Sequence, residues 1–193
     1  MITSLSDLIK RTVRKAMDET RVSLPARVVS YDASRRIASV QILQPERTTD
    51  NKEIGQPVIA EVPVFMPIGG PGAMTFPVAP GDEGIAVFAD QDIGGYVRDG
   101  DTSRPESLRR HSLTDAMFYP GVVRGSADAE NVVITCGSSS ITLQPGGTVV
   151  IDAPGGLEIN GSGVTHNGTN IGDDHVHPIS DGSSAPGPTE GPE

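Results

Sequence analysis

The chain has 193 residues, a formal net charge of −10 and 36% hydrophobic residues, with 23 glycines, 16 prolines, one cysteine and no tryptophan. These proportions exclude a large conventional core and an internal disulfide framework, and they favour short strands and turns over long helices. The acidic balance argues against nucleic acid or an anionic membrane as an electrostatic partner.

Residues 1–22 read as an N-terminal helical segment. Ile2, Leu5, Leu8, Ile9, Val13 and Met17 recur at three- and four-residue steps, and Ser4 with Asp7 resembles a capping box. Lys10, Arg11, Arg14 and Lys15 supply a basic polar face. A membrane-surface helix fits this pattern, and docking on a partner subunit is the simpler use. The segment has no unbroken apolar run of a secretory signal, and no stretch approaches the roughly 20 residues that span a bilayer. A soluble chain made in the cytoplasm is the expectation.

From 23 to 112 the pattern turns to β. "ARVVSYDASRRIASVQIL" alternates around a turn at Asp32-Ala33-Ser34, and "VIAEVPVFMP" and "GDEGIAVFAD" follow as further strands. Four or five short strands with irregular connections predict a small closed or partly open barrel of the oligonucleotide/oligosaccharide-binding (OB) type. Such barrels bind single strands through aromatics and a basic groove, and this segment is rich in neither. "GGPG" lacks the lysine and spacing of a phosphate loop. Residues 113–130 read as a linker. Tyr119 is the last aromatic residue and Arg124 the last basic one.

Between 131 and 172 aliphatic residues come in alternating couples: Val132 and Ile134, Ile141 and Leu143, Val149 and Ile151, Leu157 and Ile159, with single Val164 and Ile171 continuing the series. The couples are about eight or nine residues apart, and "QPGG", "APGG" and "NGSG" turn the chain between them. A repeat of this length belongs to β-helices and related solenoids. Two aliphatics per unit return less free energy than ordering the unit's backbone costs, and a single chain has nothing bulky to cover them. Three copies wound about one axis supply the cover and pair the strand edges with neighbouring chains. Cys136, in a strand-like run, reads as a small buried hydrophobe.

The stretch 173–193 contains "DDHVHP". In an extended segment His175 and His177 share a face, and on a threefold axis two imidazoles per chain become six nitrogens around one point. Six such donors suit an octahedral ion better than tetrahedral zinc, and iron is the candidate. The tail after Pro178 can fold back as a cap.

"PGGTVVIDAPGGLEING" followed by "IGDDHVHP", after the barrel-like segment and "RRHSLTDAMFYPGV", resembles the central spike proteins of contractile-tailed bacteriophages, including Mu-like baseplate spikes and the tips of R-type pyocins. The resemblance covers nearly the whole chain. It implies an all-β homotrimer: a short N-terminal helix, an OB-fold barrel, an intertwined triple-stranded β-helix, and a pointed apex closed by one iron ion per trimer. The ligands it implies are His175 and His177 of all three chains, while His166 has no counterpart and faces solvent or the rod interior. It further implies a virion protein at the baseplate tip, made in the host cytoplasm. The barrel would join the tail tube and hub proteins, and the rod would pierce the host outer membrane. The expectation is a protein that is not an enzyme and binds no nucleic acid. Some relatives carry a lysozyme domain, for which this sequence has no room.

Two other function classes compete. Asp174, His175 and His177 can be read as the two-histidine, one-carboxylate site of a non-haem metalloenzyme, although all three fall within a glycine-rich tail. A trimeric receptor-binding fibre is the other, and it would be expected to end in a larger head.

Overall fold

In a computed structural model the described residues are 4–18, 20–47, 50–100, 102, 104–121, 125 and 127–172. They fall into two compact units, Met1–Ser126 and Ala127–Glu193. The apex read at 173–193, with its iron site at His175 and His177, lies outside the described residues.

The first unit opens with helix α1, Leu5–Asp18. Ser4 caps it as its sequence suggests, its Oγ accepting the Asp7 N–H at 3.2 Å. The strands that follow are β1 (Ser23–Asp32), β2 (Ile37–Ile42), β3 (Glu46–Arg47), β4 (Glu53–Ile54), β5 (Val58–Pro63), β6 (Ile68–Gly69), β7 (Gly72–Ala73) and β8 (Glu83–Phe88). Helix α2 (Gly94–Asp99) and a 3-10 turn at Leu113–Asp115 lead to β9 (Ala116–Pro120). Five strands form one antiparallel sheet in the order β5-β2-β1-β8-β9, while β3 with β4 and β6 with β7 make small separate ribbons.

The β1–β2 hairpin expected around Asp32 is present. The Asp32 carboxylate accepts the Ser34 N–H at 2.9 Å and the Ser34 hydroxyl at 2.6 Å, and Arg36 takes a left-handed φ of 54° to close the turn. Glu61 also has a positive φ, 56°, where β5 carries an extra residue against β2, and this bulge bends the sheet. The sheet curls until its edges meet. Val64 forms a parallel bridge with Phe118, and the Phe65 N–H donates to the Phe118 carbonyl at 2.8 Å.

Alternation decides what the curl encloses. One face of each strand sends Ala26, Val28, Ala38, Val40, Ile42, Ile59, Val62, Ala86, Phe88, Ala116 and Phe118 into a single core. The alanines leave room for the two phenylalanine rings. Gly84 goes further: a Cβ there would stand 2.3 Å from the Tyr119 carbonyl oxygen and 2.6 Å from the Phe118 ring.

Strand β9 corrects the sequence reading. Residues 113–130 were expected to be a linker, yet Ala116–Pro120 is the fifth strand of the sheet and supplies Phe118, which is fully buried. The alternation of inward Ala116 and Phe118 with outward Met117 and Tyr119 is a strand signal one turn past a charged stretch.

The second unit contains β10 (Val132–Cys136), β11 (Ser139–Leu143) and β12 (Val149–Asp152) as an antiparallel meander. A short hairpin follows, β13 (Thr165–His166) with β14 (Thr169–Asn170). Asn167 and Gly168 both have positive φ, 49° and 81°, the geometry a two-residue hairpin loop requires. Leu157 and Ile159, expected to be a fourth strand, lie outside any strand. Cys136, expected to be buried, is exposed, because among the described residues nothing covers this face of the sheet.

Replacing Phe118 by alanine is expected to cost about 3–5 kcal/mol in urea unfolding. Gly84→Ala should also destabilise the first unit, since the added methyl group meets backbone and a packed ring; an unchanged unfolding midpoint for either would contradict this packing.

Candidate assembly surface

Two features of the described residues could carry function. The first is a cluster of charges beside the barrel. Asp92 and Asp115 have side chains only 1% exposed, and Arg109 bridges them. Its Nη2 donates to Asp92 Oδ1 at 2.6 Å and to Asp115 Oδ1 at 3.0 Å, and its Nε donates to Asp115 Oδ2 at 2.6 Å. Asp92 also accepts the Gly94 N–H at 3.0 Å and the Ser107 hydroxyl at 2.8 Å, and Asp115 accepts the Ile93 N–H at 3.1 Å. The Asp92 carboxyl is held below its usual pKa, first by the Gly94 N–H, then by the Ser107 hydroxyl, with the Arg109 charge adding to them. Every carboxylate oxygen has a donor, so the cluster ties the distant parts of the long β8–β9 connection to one another.

The second feature is the β10–β11–β12 sheet. Residues directly opposite in an antiparallel sheet share a face. Register therefore places Val132, Leu143 and Val149 in one row and Ile134, Ile141 and Ile151 in the next, on the same side. Cys136 and Ser139 extend that face by one more pair. The opposite face carries Val133, Thr135, Ser140, Thr142, Val150 and Asp152. Three of the predicted couples thus merge into one aliphatic surface of six side chains, and these are exposed by between 40% (Ile141) and 64% (Val132). A contiguous apolar face of this kind is a candidate interaction surface. The meander also leaves its outer edges open. Each strand was expected to pair with a neighbouring chain, but β11 has both neighbours in its own chain, so only β10 and β12 present free backbone groups.

The histidines divide accordingly. His175 and His177, the predicted metal ligands, lie outside the described residues, as does Asp174. His166 is exposed in β13. His111 stands beside Asp90, its Nε2 3.4 Å from Oδ1, in the barrel unit. Among the described residues no three His, Cys, Asp or Glu side chains come together as a metal site. The clamp was not foreseen. Its residues are spread from 92 to 115, and only the folded connection joins them.

No curated protein matches the chain. Residues 24–121 match the family model described as "Phage protein Gp138 N-terminal domain". The match begins within β1 and ends one residue past β9, so its limits are those of the five-stranded sheet.

Two outcomes are expected. Because the folded pKa of Asp92 is depressed, its contribution is complete above the usual carboxylate value near 3.8 and is lost as pH falls through the lowered folded value. The melting temperature of the full chain should therefore fall in acid, and Asp92→Asn should flatten that fall; an identical acid profile would remove Asp92 from the account. A charge on the aliphatic face, Ile141→Asp, should abolish self-association in native mass measurements, while Thr142→Asp on the other face should leave it intact.

Proposed function

The chain belongs to the Gp138 N-terminal-domain family of phage proteins, the match taking in just over half of its 193 residues, and from that membership we propose that it is the central spike at the tip of a contractile-tail baseplate. Its role is structural. Sheath contraction drives the tail tube forward, and the spike concentrates the force on a narrow tip that breaches the host outer membrane.

The observation that carries this reading is the uncovered aliphatic face of β10–β12. Three copies around an axis would turn Val132, Ile134, Ile141, Leu143, Val149 and Ile151 inward, each worth about 1.5–3 kcal/mol when fully buried. The free edge of β12 in one copy would pair with the free edge of β10 in the next, which closes a rod of three three-stranded faces. Backbone pairing all round makes such a rod stiff and leaves no edge to fray. The barrel supports the same reading. Its five curled strands, a β1–β2–β5 meander joined to β8 and β9 with a parallel contact between Val64 and Phe118, fit the partly open five-stranded barrel of the OB type. In the spike this barrel joins the tube and hub proteins, as a part of the virion.

At the apex, His175 and His177 of three chains would offer six imidazole nitrogens, a donor set suited to one octahedral iron ion. The ion cross-links three chain ends against separation during penetration.

Native mass spectrometry with metal analysis on the full chain tests both parts. Three chains with one iron ion are expected. The His175→Ala, His177→Ala double variant should keep three chains and lose the iron; a single-chain species would sink the spike, and iron retained by the double variant would sink the apex.

A further inference from the structure

The barrel unit carries two more apolar faces, and neither covers the other within one chain. The first is on α1. At 100° per residue Leu5, Leu8, Ile9, Val13 and Met17 fall on one half of the helix, with Lys10 and Lys15 at the borders of that arc and Arg11 and Arg14 behind it. In this structure the arc faces solvent: Leu5 is 73% exposed, Ile9 54% and Met17 70%. A 14-residue helix is marginal in water by itself and takes its stability from packing such an arc.

The second is the outer surface of the barrel at β8 and β9. Register places Pro25, Ile85 and Tyr119 side by side, with Val87 and Met117 in the next row. Phe65 completes the patch by stacking on Tyr119, ring centroids 4.7 Å apart and planes 21° from parallel. Ile85, Tyr119 and Phe65 are all exposed. Two rows of outward apolar side chains beside a stacked aromatic pair have the dimensions of a helix seat, because a sheet face is stably covered by an apolar helix.

We infer that α1 is an exchanged arm, which seats its apolar arc on the outer β8–β9 face of the barrel in a neighbouring copy. Charge favours this pairing over contact between helices. Residues 1–22 hold five basic and three acidic groups, whereas residues 23–124 hold ten basic and thirteen acidic. Copies of α1 packed on each other would crowd like charges. On a barrel the arm meets a net acidic surface, with Asp82 just before β8; Asp90, beyond its other end, is already paired with Arg110. Reach fits as well. The Val22 carbonyl is held by the Phe88 N–H at 2.9 Å, so the arm departs from the ladder next to β8. Three residues, 19–21, lie between α1 and that anchor and span at most about 11 Å, which confines the helix to a barrel adjoining this end of β8. The inference rests on the three-copy reading of the proposed function, and it adds a lock at the barrel end, opposite in sequence to the histidine apex.

Single-cysteine chains test it, each carrying Cys136→Ser. One chain carries Ile9→Cys, and a second, of different mass through a tag, carries Ile85→Cys; they are co-expressed, purified and oxidised. A disulfide-linked pair of unlike mass is expected, and it should disappear when Arg11→Cys, on the far side of the helix, replaces Ile9→Cys. Native mass is measured on the same sample. Three chains without the linked pair overturn the exchanged arm and leave the spike standing, as when α1 is reserved for another phage protein or a lipid surface. A single-chain species overturns both. A chain carrying Ile9→Cys and Ile85→Cys together that closes only on itself shows docking within one copy and also overturns the exchange.

Discussion

An amphipathic sheet is stable when its apolar side is covered, and among the described residues the second unit has no layer of its own to do it. The β10–β12 meander gathers six aliphatic side chains on one face, yet the sequence beyond Tyr119 contains no aromatic residue and the described part contains no helix. Hydrogen bonding within the meander orders the backbone but leaves the aliphatic surface in water. The exposed Cys136 lies at the end of the same face.

The first unit solves the same problem inside one chain. Its five strands curl, a parallel bridge joins Val64 to Phe118, and small residues at 26, 38, 86 and 116 admit two large rings. Its long β8–β9 connection is secured by Arg109 between two buried carboxylates, a charged staple in place of apolar packing. The two units use opposite materials. One closes on itself with phenylalanines and a satisfied ion cluster, and the other offers aliphatic rows and open edges.

How much of this the sequence disclosed follows from how local each signal is. The β1–β2 hairpin was legible because alternation and the Asp32 turn lie within one short window. The couples at 132, 141 and 149 were legible for the same reason, and their register on one face followed from the spacing of the turns. Strand β9 was obscured because its alternation follows an arginine-rich stretch and its partners, β8 and Val64, are distant in sequence. Helix α2 begins with Gly94-Gly95, poor helix formers, so propensity gave no hint of it. Asn167-Gly168 was a readable hairpin turn that the aliphatic series alone did not bring out. Of the candidate site, the aliphatic face could be read from spacing. The Arg109 clamp could not, since its members meet only through the fold.

The proposed cover of the aliphatic face by sibling molecules has a kinetic side. The barrel closes by contacts within one polypeptide, so its formation is first order and indifferent to dilution. Completion of the β10–β12 unit would instead be an encounter between molecules, accelerating steeply as copies accumulate. Newly made chains would then pass through a period with finished heads and adhesive tails, in which crowding by the right neighbours decides between assembly and clumping.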